Sequence, residues 1–327
     1  MIHPDAHLVE NLFRKDLEMS ATRDGYGEGI VEAAAKNTNI VVVCADLTDS
    51  TRNSEFKKLF PDRFIQVGVQ EQLLAAMGAG LSLGGKIPFI TSYAMFCPGR
   101  AWEQIRTNIC LNEVNVKIIG SHAGVSVGPD GATHQGIEDI AIMRPIPNIT
   151  IIAPCDVHEA RKTTVAISRF NGPCYVRYAR EKTPVFTTHR SPFKIGKANI
   201  LREGKDVAII ACGPLVYNAL RASEELKKNK VECMVINSHT IKPLDEKTIL
   251  ESAKKCKAIV TVEEHQVTGG LGGAVAEFLA KTCPTPMEFI GVQNRFGESG
   301  EPVELIEHFG MGVSHIKAAV RKVLKRK

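Results

Sequence analysis

Residues 64–93 read FIQVGVQEQLLAAMGAGLSLGGKIPFITSY. Phe64–Val69 is short, apolar and β-branched, which predicts a strand. Gln70–Leu83 is long enough for a helix and almost free of charge. Ile87–Tyr93 predicts a second strand. A helix between two strands carries the chain back to the end at which the first strand began, so the strands pair in parallel. The same rhythm extends outward. Ile40–Cys44 (IVVVC), Val116–Gly120 and Ile149–Ala153 predict further strands, with helices over Gly27–Lys36, Arg100–Leu111 and Asp156–Phe170. Strands apolar on both faces belong in a parallel sheet covered by helices on both sides.

The rhythm breaks at Glu181–Lys194 (EKTPVFTTHRSPFK), with two prolines and paired threonines, which predicts a connector. It then restarts. Asp206–Cys212, Val231–Ile236, Ala258–Glu263 and Met287–Gly291 predict strands; Leu215–Lys228, Asp245–Lys254, Gly270–Ala280 and Val313–Lys325 predict helices. At 327 residues, about two domains are expected. The predicted class is α/β, with two domains that are each a mostly parallel sheet flanked by helices. The expected divisions are a helical extension over 1–19, a first domain over 20–185, a linker over 186–194 and a second domain over 195–327.

Composition narrows the class further. Hydrophobic residues make up 44% and charged residues 24%, which excludes disordered, collagenous and coiled-coil chains. No apolar run approaches the roughly 18 residues of a membrane span. The first twenty residues carry His3, Asp5, Glu10, Asp16 and Glu18, so no signal peptide is expected. The net charge of +5 sits in Arg321, Lys322, Lys325, Arg326 and Lys327, and the rest of the chain is formally neutral. Such an end reads as a solvated helix terminus more readily than as a nucleic-acid or membrane contact. Nine scattered cysteines with no C-x-x-C pair predict a reducing, cytoplasmic setting.

Several residues could carry chemistry. Glu71 sits in the first helical turn beyond a strand end, where ligands of open α/β sheets collect. It either complements the helix dipole or, in an apolar contact that raises its pKa, shares a proton with a ligand. Ala75, Ala76, Gly78, Ala79 and Gly80 behind it permit close packing of another surface. Residues 121–135 (SHAGVSVGPDGATHQ) form a glycine-rich loop after a strand, with His122, Asp130 and His134. They are structural, or they converge on a polar substrate; no metal-ligand spacing accompanies them. Tyr93 and Phe96 are core packing or an aromatic wall for a flat heterocycle. Arg23, Ser50 and Arg180 are phosphate candidates or surface residues. The glycines of 269–273 (GGLGG) suggest a phosphate loop weakly and close helix packing at a subunit interface better.

Taken in order, these segments resemble the C-terminal half of transketolase, among the thiamine-diphosphate enzymes. The matching pieces are SATRDGYGEGI (20–30), VCADLTDST (43–51), FIQVGVQEQ (64–72), TSYAMF (91–96), the long run 121–148, PCYVRYAR (173–180), VEEHQVTGGLGG (262–273) and RFGESG (295–300). The resemblance implies a pyrimidine-binding domain followed by the transketolase C-terminal domain. It implies that Glu71 bonds N1′ of the cofactor's aminopyrimidine, that Phe96 stacks on that ring with Tyr93 beside it, and that Asp46 and Leu47 lie near it at a subunit contact. His122, Asp130 and His134 would hold sugar hydroxyls, with the histidines also in catalytic roles. Arg23, Ser50 and Arg180 would take the sugar phosphate.

Transketolases also carry an N-terminal domain that holds the diphosphate and Mg²⁺ through a G-D-G motif, which this sequence lacks. The resemblance therefore implies a split enzyme whose N-terminal partner subunit supplies that domain, in an α2β2 assembly. The expected reaction moves a two-carbon ketol unit from a ketose phosphate to an aldose phosphate, as in the pentose phosphate pathway. The Gln72 that follows Glu71 also occurs in 1-deoxyxylulose-5-phosphate synthase and in 2-oxoacid dehydrogenase β-type subunits, which are the alternative enzymes. A non-catalytic scaffold would have no need of Glu71, Phe96, Asp130 and His134 together.

Overall fold

The computed structural model describes residues 1–327. Ile40–Cys44, buried at all five positions, lies inside a seven-stranded sheet. The spatial order is Thr240–Lys242, Thr150–Ile152, Cys174–Arg177, Lys117–Ser121, Ile87–Tyr93, Ile40–Cys44, Phe64–Gln66. Six strands run parallel, and Thr240–Lys242 joins antiparallel at the edge. The second sheet has five strands in the order Met287–Val292, Ile259–Gln266, Val207–Ala211, Cys233–Asn237, Asn199–Arg202. Only Asn199–Arg202 is antiparallel there. Each sheet is flanked by helices, so the molecule is α/β with two mostly parallel sheets.

On one face of the first sheet, helices Thr22–Lys36 and Val157–Arg169 lie against each other. A Cβ at Gly25 would stand 2.2 Å from the carbonyl oxygen of Val157, and one at Gly29 would stand 2.7 Å from the Cβ of Thr164. These glycines, one turn apart, let the backbones approach. Tyr26, Ile30, Ile40, Val42 and Phe89 fill the space beneath. The opposite face carries helix Glu71–Leu83, and its core continues without a break through Ile151 and Ile241 to Ile210, Ile236 and Ile259 of the second sheet. Strand Thr240–Lys242, between Cys233–Asn237 and helix Glu246–Cys256, is the physical join: it leaves the second sheet and completes the first. No helix is long and apolar enough to cross a membrane.

The expected helix over 1–19 does not form. Pro4–Ala6 makes one helical turn and no more, and His7 and Asn11 adopt left-handed backbone angles that stop propagation. The helix-like spacing of Leu8 and Leu12 reflects burial of a different kind: the segment lies along the second domain, with Ala6, Leu12 and Leu17 in its core. His3 N–H donates to the Leu201 carbonyl (2.9 Å) and Val9 N–H to that of Phe186 (3.0 Å). The 186–194 connector is also tied down. Asp156 accepts the N–H groups of Phe186 (3.0 Å) and Thr187 (2.7 Å), while Lys162 Nζ donates to the carbonyls of Thr188 and Ser191, both 2.6 Å. Lys182–Pro184 pairs with Met19–Ala21. The basic C-terminus folds back: Lys322 and Arg326 both bind Glu288.

Candidate active site

The predicted residues come from different turns at one edge of the first sheet, beyond the carboxyl ends of its strands. Strand Phe64–Gln66 passes through Gly68, at φ +72°, into helix Glu71–Leu83. Glu71 thus opens the helix, and its side chain is 2% exposed. Its carboxylate is buried but fully engaged. Ser92 Oγ donates to Oε1 at 3.1 Å, and Arg100 Nη1 donates to Oε2 at 3.2 Å. Ser92 is the penultimate residue of strand Ile87–Tyr93. The same Arg100 lies with Cζ 4.2 Å from the centre of the Phe96 ring, a cation–π contact.

Aromatic contacts continue across the site. Tyr93 and Phe96 have ring centres 6.1 Å apart, and Tyr93 stacks on the His122 imidazole at 3.9 Å. His134 and Phe96 pack edge to face, with ring centres 5.3 Å apart. Tyr93 therefore packs against a member of the predicted polar group, and the aromatic pair joins the two halves of the site.

His122 follows strand Lys117–Ser121 at φ +57° and is buried. Burial, then the positive charges of Arg23, Arg180 and Arg52, push its pKa from the ordinary 6.5 to about 3. The ring is thus neutral at physiological pH. Arg23 Nη1 is a donor at 3.3 Å from Nε2, so Nε2 accepts and Nδ1 carries the proton, which it donates to Ser121 Oγ at 2.9 Å. Arg23 Nη1 also donates to the Ser50 carbonyl at 3.0 Å. On the glycine-rich loop, Asp130 pairs with Arg180 at 3.3 Å, and Arg180 Nη1 donates to the Val127 carbonyl at 2.7 Å. Two guanidinium groups (Arg23 and Arg180), a neutral imidazole (His122) and a carboxylate (Asp130) thus meet beside the aromatic wall.

Asp46, at φ +60°, exchanges two hydrogen bonds with the Gln66 side chain, at 2.9 and 3.3 Å. With Leu47, Ser50, Lys57 and Lys58 it lines an open cleft of about 670 Å³. The GGLGG cluster is no phosphate loop. The first two amides of helix Leu271–Thr282 donate to Glu263, at 2.7 and 2.8 Å, so the donors an anion would need are taken within the chain. Sequence reasoning missed Ser92 and Arg100. The signal for Arg100 was its position four residues beyond Phe96, which one helical turn brings onto the same face.

Residues 18–185 match the family described as transketolase, pyrimidine binding domain, and residues 196–316 match transketolase, C-terminal domain. A putative transketolase C-terminal section of Methanocaldococcus jannaschii is 44% identical, over 93% of this chain and 96% of that protein. A 6-deoxy-6-sulfo-D-fructose transketolase subunit of a Clostridium species is 39% identical, over 96% of this chain and 98% of that one. A solved structure described as a split gene transketolase, inactive β4 tetramer, superposes with a TM-score of 0.88 at 42% identity, covering 93% of this chain and 98% of that chain. The chain belongs to the transketolase family, whose pyrimidine-binding and C-terminal domains it carries, and with that family comes dependence on thiamine diphosphate.

Proposed function

We propose that this chain is the C-terminal subunit of a split transketolase, working in the cytoplasm with an N-terminal partner that holds the diphosphate and Mg²⁺, as α2β2. The reaction is transfer of a two-carbon ketol unit from a ketose phosphate to an aldose phosphate, of the kind used in the pentose phosphate pathway. One observation carries this reading. A buried carboxylate with an aromatic ring beside it adjoins a cluster of Arg23, Arg180, His122, Asp130 and His134, and no single role other than binding a flat heterocycle and a charged sugar together uses both halves.

The residues fit the heterocycle. Arg100 already places a planar N–H donor against Phe96 and in hydrogen-bond contact with Glu71. An aminopyrimidine presents the same combination of flat face and ring nitrogen. When bound, thiamine diphosphate supplies the carbon nucleophile and the electron sink for breaking the sugar's C2–C3 bond. Glu71 bonds N1′, with Ser92 fixing its other oxygen, and Phe96 and Tyr93 wall the ring. Asp46 and Leu47 face the subunit contact from the neighbouring cleft. Arg23, Ser50 and Arg180 hold the substrate phosphate. Both nitrogens of His122 are engaged within the chain, so a sugar hydroxyl reaches it by replacing Arg23 at Nε2. Asp130, in a partly exposed pair worth about 0–1 kcal/mol, re-partners readily with a hydroxyl. His134, at the ring edge, completes the hydroxyl contacts and takes part in proton transfer.

The test is co-expression with a candidate partner carrying G-D-G, addition of thiamine diphosphate and Mg²⁺, and assay of ketol transfer from xylulose 5-phosphate to ribose 5-phosphate. Turnover by the complex and none by this chain alone is expected. A folded complex that ignores sugar-phosphate pairs but consumes pyruvate would overturn the proposal in favour of the synthase or dehydrogenase alternatives.

A further inference from the structure

The second domain reaches into the site through the loop that bears Asp130 and His134. Glu264, buried at the carboxyl-terminal part of strand Ile259–Gln266, extends its carboxylate across the domain boundary. Oε1 accepts the backbone N–H of Ser126 at 2.6 Å. The approach is so close that a Cβ at Gly124 would stand 2.2 Å from that same oxygen, and Gly124 itself is at φ +90°, where only glycine is unstrained. The backbone of Glu264 is fixed in turn, because its carbonyl accepts from Arg177 Nη1 at 3.1 Å and Arg177 pairs with buried Asp139 at 2.9 Å.

Gln135 closes the loop from its other end. Its Nε2 donates to the carbonyls of Val125 (3.0 Å) and Gly128 (3.2 Å) within the loop. The carbonyl of Glu298 in the second domain is the shortest contact of the same Nε2, at 2.8 Å, so its two hydrogens are shared among three carbonyls. Residues 297–302 line the loop on that side: a Cβ at Gly131 would meet Ser299 Oγ at 2.5 Å, and one at Gly128 would meet Pro302 at 3.1 Å. The loop makes only tight 3-10 turns over Val125–Asp130, broken at Gly128 (φ +80°), and Gly124 and Gly131 on either side also take positive φ, so few bonds of its own fix its course.

We propose that Glu264 and Gln135 are positioning residues, through which the C-terminal domain sets the placement of Asp130 and His134. The second domain is thereby a functional part of the sugar site although it places no side chain against the sugar. The idea rests on the proposed role of that loop in sugar binding. Buried polar groups that hold a site loop act through geometry, and displacement by an ångström is enough to weaken substrate contacts.

The test uses the assembled complex with Glu264→Ala, Glu264→Gln and Gln135→Leu. Hydrogen exchange of the amides of residues 124–131 is measured alongside the KM for each sugar phosphate and the affinity for thiamine diphosphate. For Glu264→Ala and Gln135→Leu, exchange of the loop and KM for sugar should each rise by about tenfold or more, while cofactor affinity stays within about twofold. Glu264→Gln keeps an acceptor for Ser126 N–H and should recover most of both. The proposal is overturned if loop exchange in these variants equals that of the wild type. It is equally overturned if cofactor affinity falls in step with sugar affinity, the pattern of a general structural loss. Should Glu264→Ala not fold, Gln135→Leu and Glu264→Gln carry the same comparison. If the wild-type complex has no ketol-transfer activity, the ketol-transfer reading fails while the exchange measurement still decides whether the clamp exists.

Discussion

Glu71 shows how a residue can be legible in sequence while its partners are not. Its position after a strand and at a helix start is written in FIQVGVQEQ, but Ser92 and Arg100 reach it only through the fold. Replacing Glu71 with Ala should lower turnover of the complex by about a hundredfold or more and leave assembly, read by size-exclusion chromatography, unchanged. Arg100 is half in solvent, so its pair with Glu71 contributes about 0–1 kcal/mol to stability. Arg100→Ala should therefore leave the urea midpoint nearly unchanged while altering cofactor affinity, and equal cofactor affinity would show that Arg100 has no part at the pyrimidine face. His122 makes a pH prediction. Its folded pKa is depressed from 6.5 to about 3, so the unfolded chain binds its proton first on acidification. The stability linked to this residue is complete above about pH 6.5 and is lost as pH falls toward 3. His265, pushed down to about 4 by burial, acts in the same direction. His122→Gln should flatten, without abolishing, the fall of Tm between about pH 6.5 and 4; an unchanged slope would show that His122 titrates normally.

At the scale of elements, period and composition identify the central strands because those strands are apolar throughout. Ile40–Cys44 and Ile87–Tyr93 form over the residues expected. Segments whose course depends on distant contacts were not legible. The 1–19 stretch has helical spacing but takes an irregular, turn-rich course along the second domain. Thr240–Lys242 is too short and mixed to announce a strand, and its partner lies some ninety residues earlier. Over Arg100–Leu111 a helix is expected, and the chain makes one α-turn at Trp102–Gln104 before widening to π-type over Ile105–Cys110. Gly25 tests the packing of helix Thr22–Lys36 on Val157–Arg169. Gly25→Ala puts a methyl group against a backbone carbonyl that cannot move alone, and should cost about 1–3 kcal/mol by urea unfolding. A neutral or stabilising effect would mean that the helices do not touch there.

Across the whole molecule, one buried core spans both sheets, which predicts that the two domains unfold together. Ile241, 2% exposed on the strand that crosses between them, sits in that shared core. Ile241→Ala should cost about 2–5 kcal/mol and lower a single unfolding transition for the whole chain. Two separate transitions would contradict the shared core. The site follows the same logic: the sheet edge of the first domain presents the chemical groups, and the second domain holds the loop that faces them. In the proposed function Glu71 acts on the cofactor's pyrimidine. The direct test is deuterium exchange at C2 of thiamine diphosphate bound to the assembled complex, followed by NMR in wild type and Glu71→Gln without any sugar present. Exchange slowed by about a hundredfold or more in the variant at full cofactor occupancy is expected, and equal rates in the two proteins would show that Glu71 has no role at the pyrimidine.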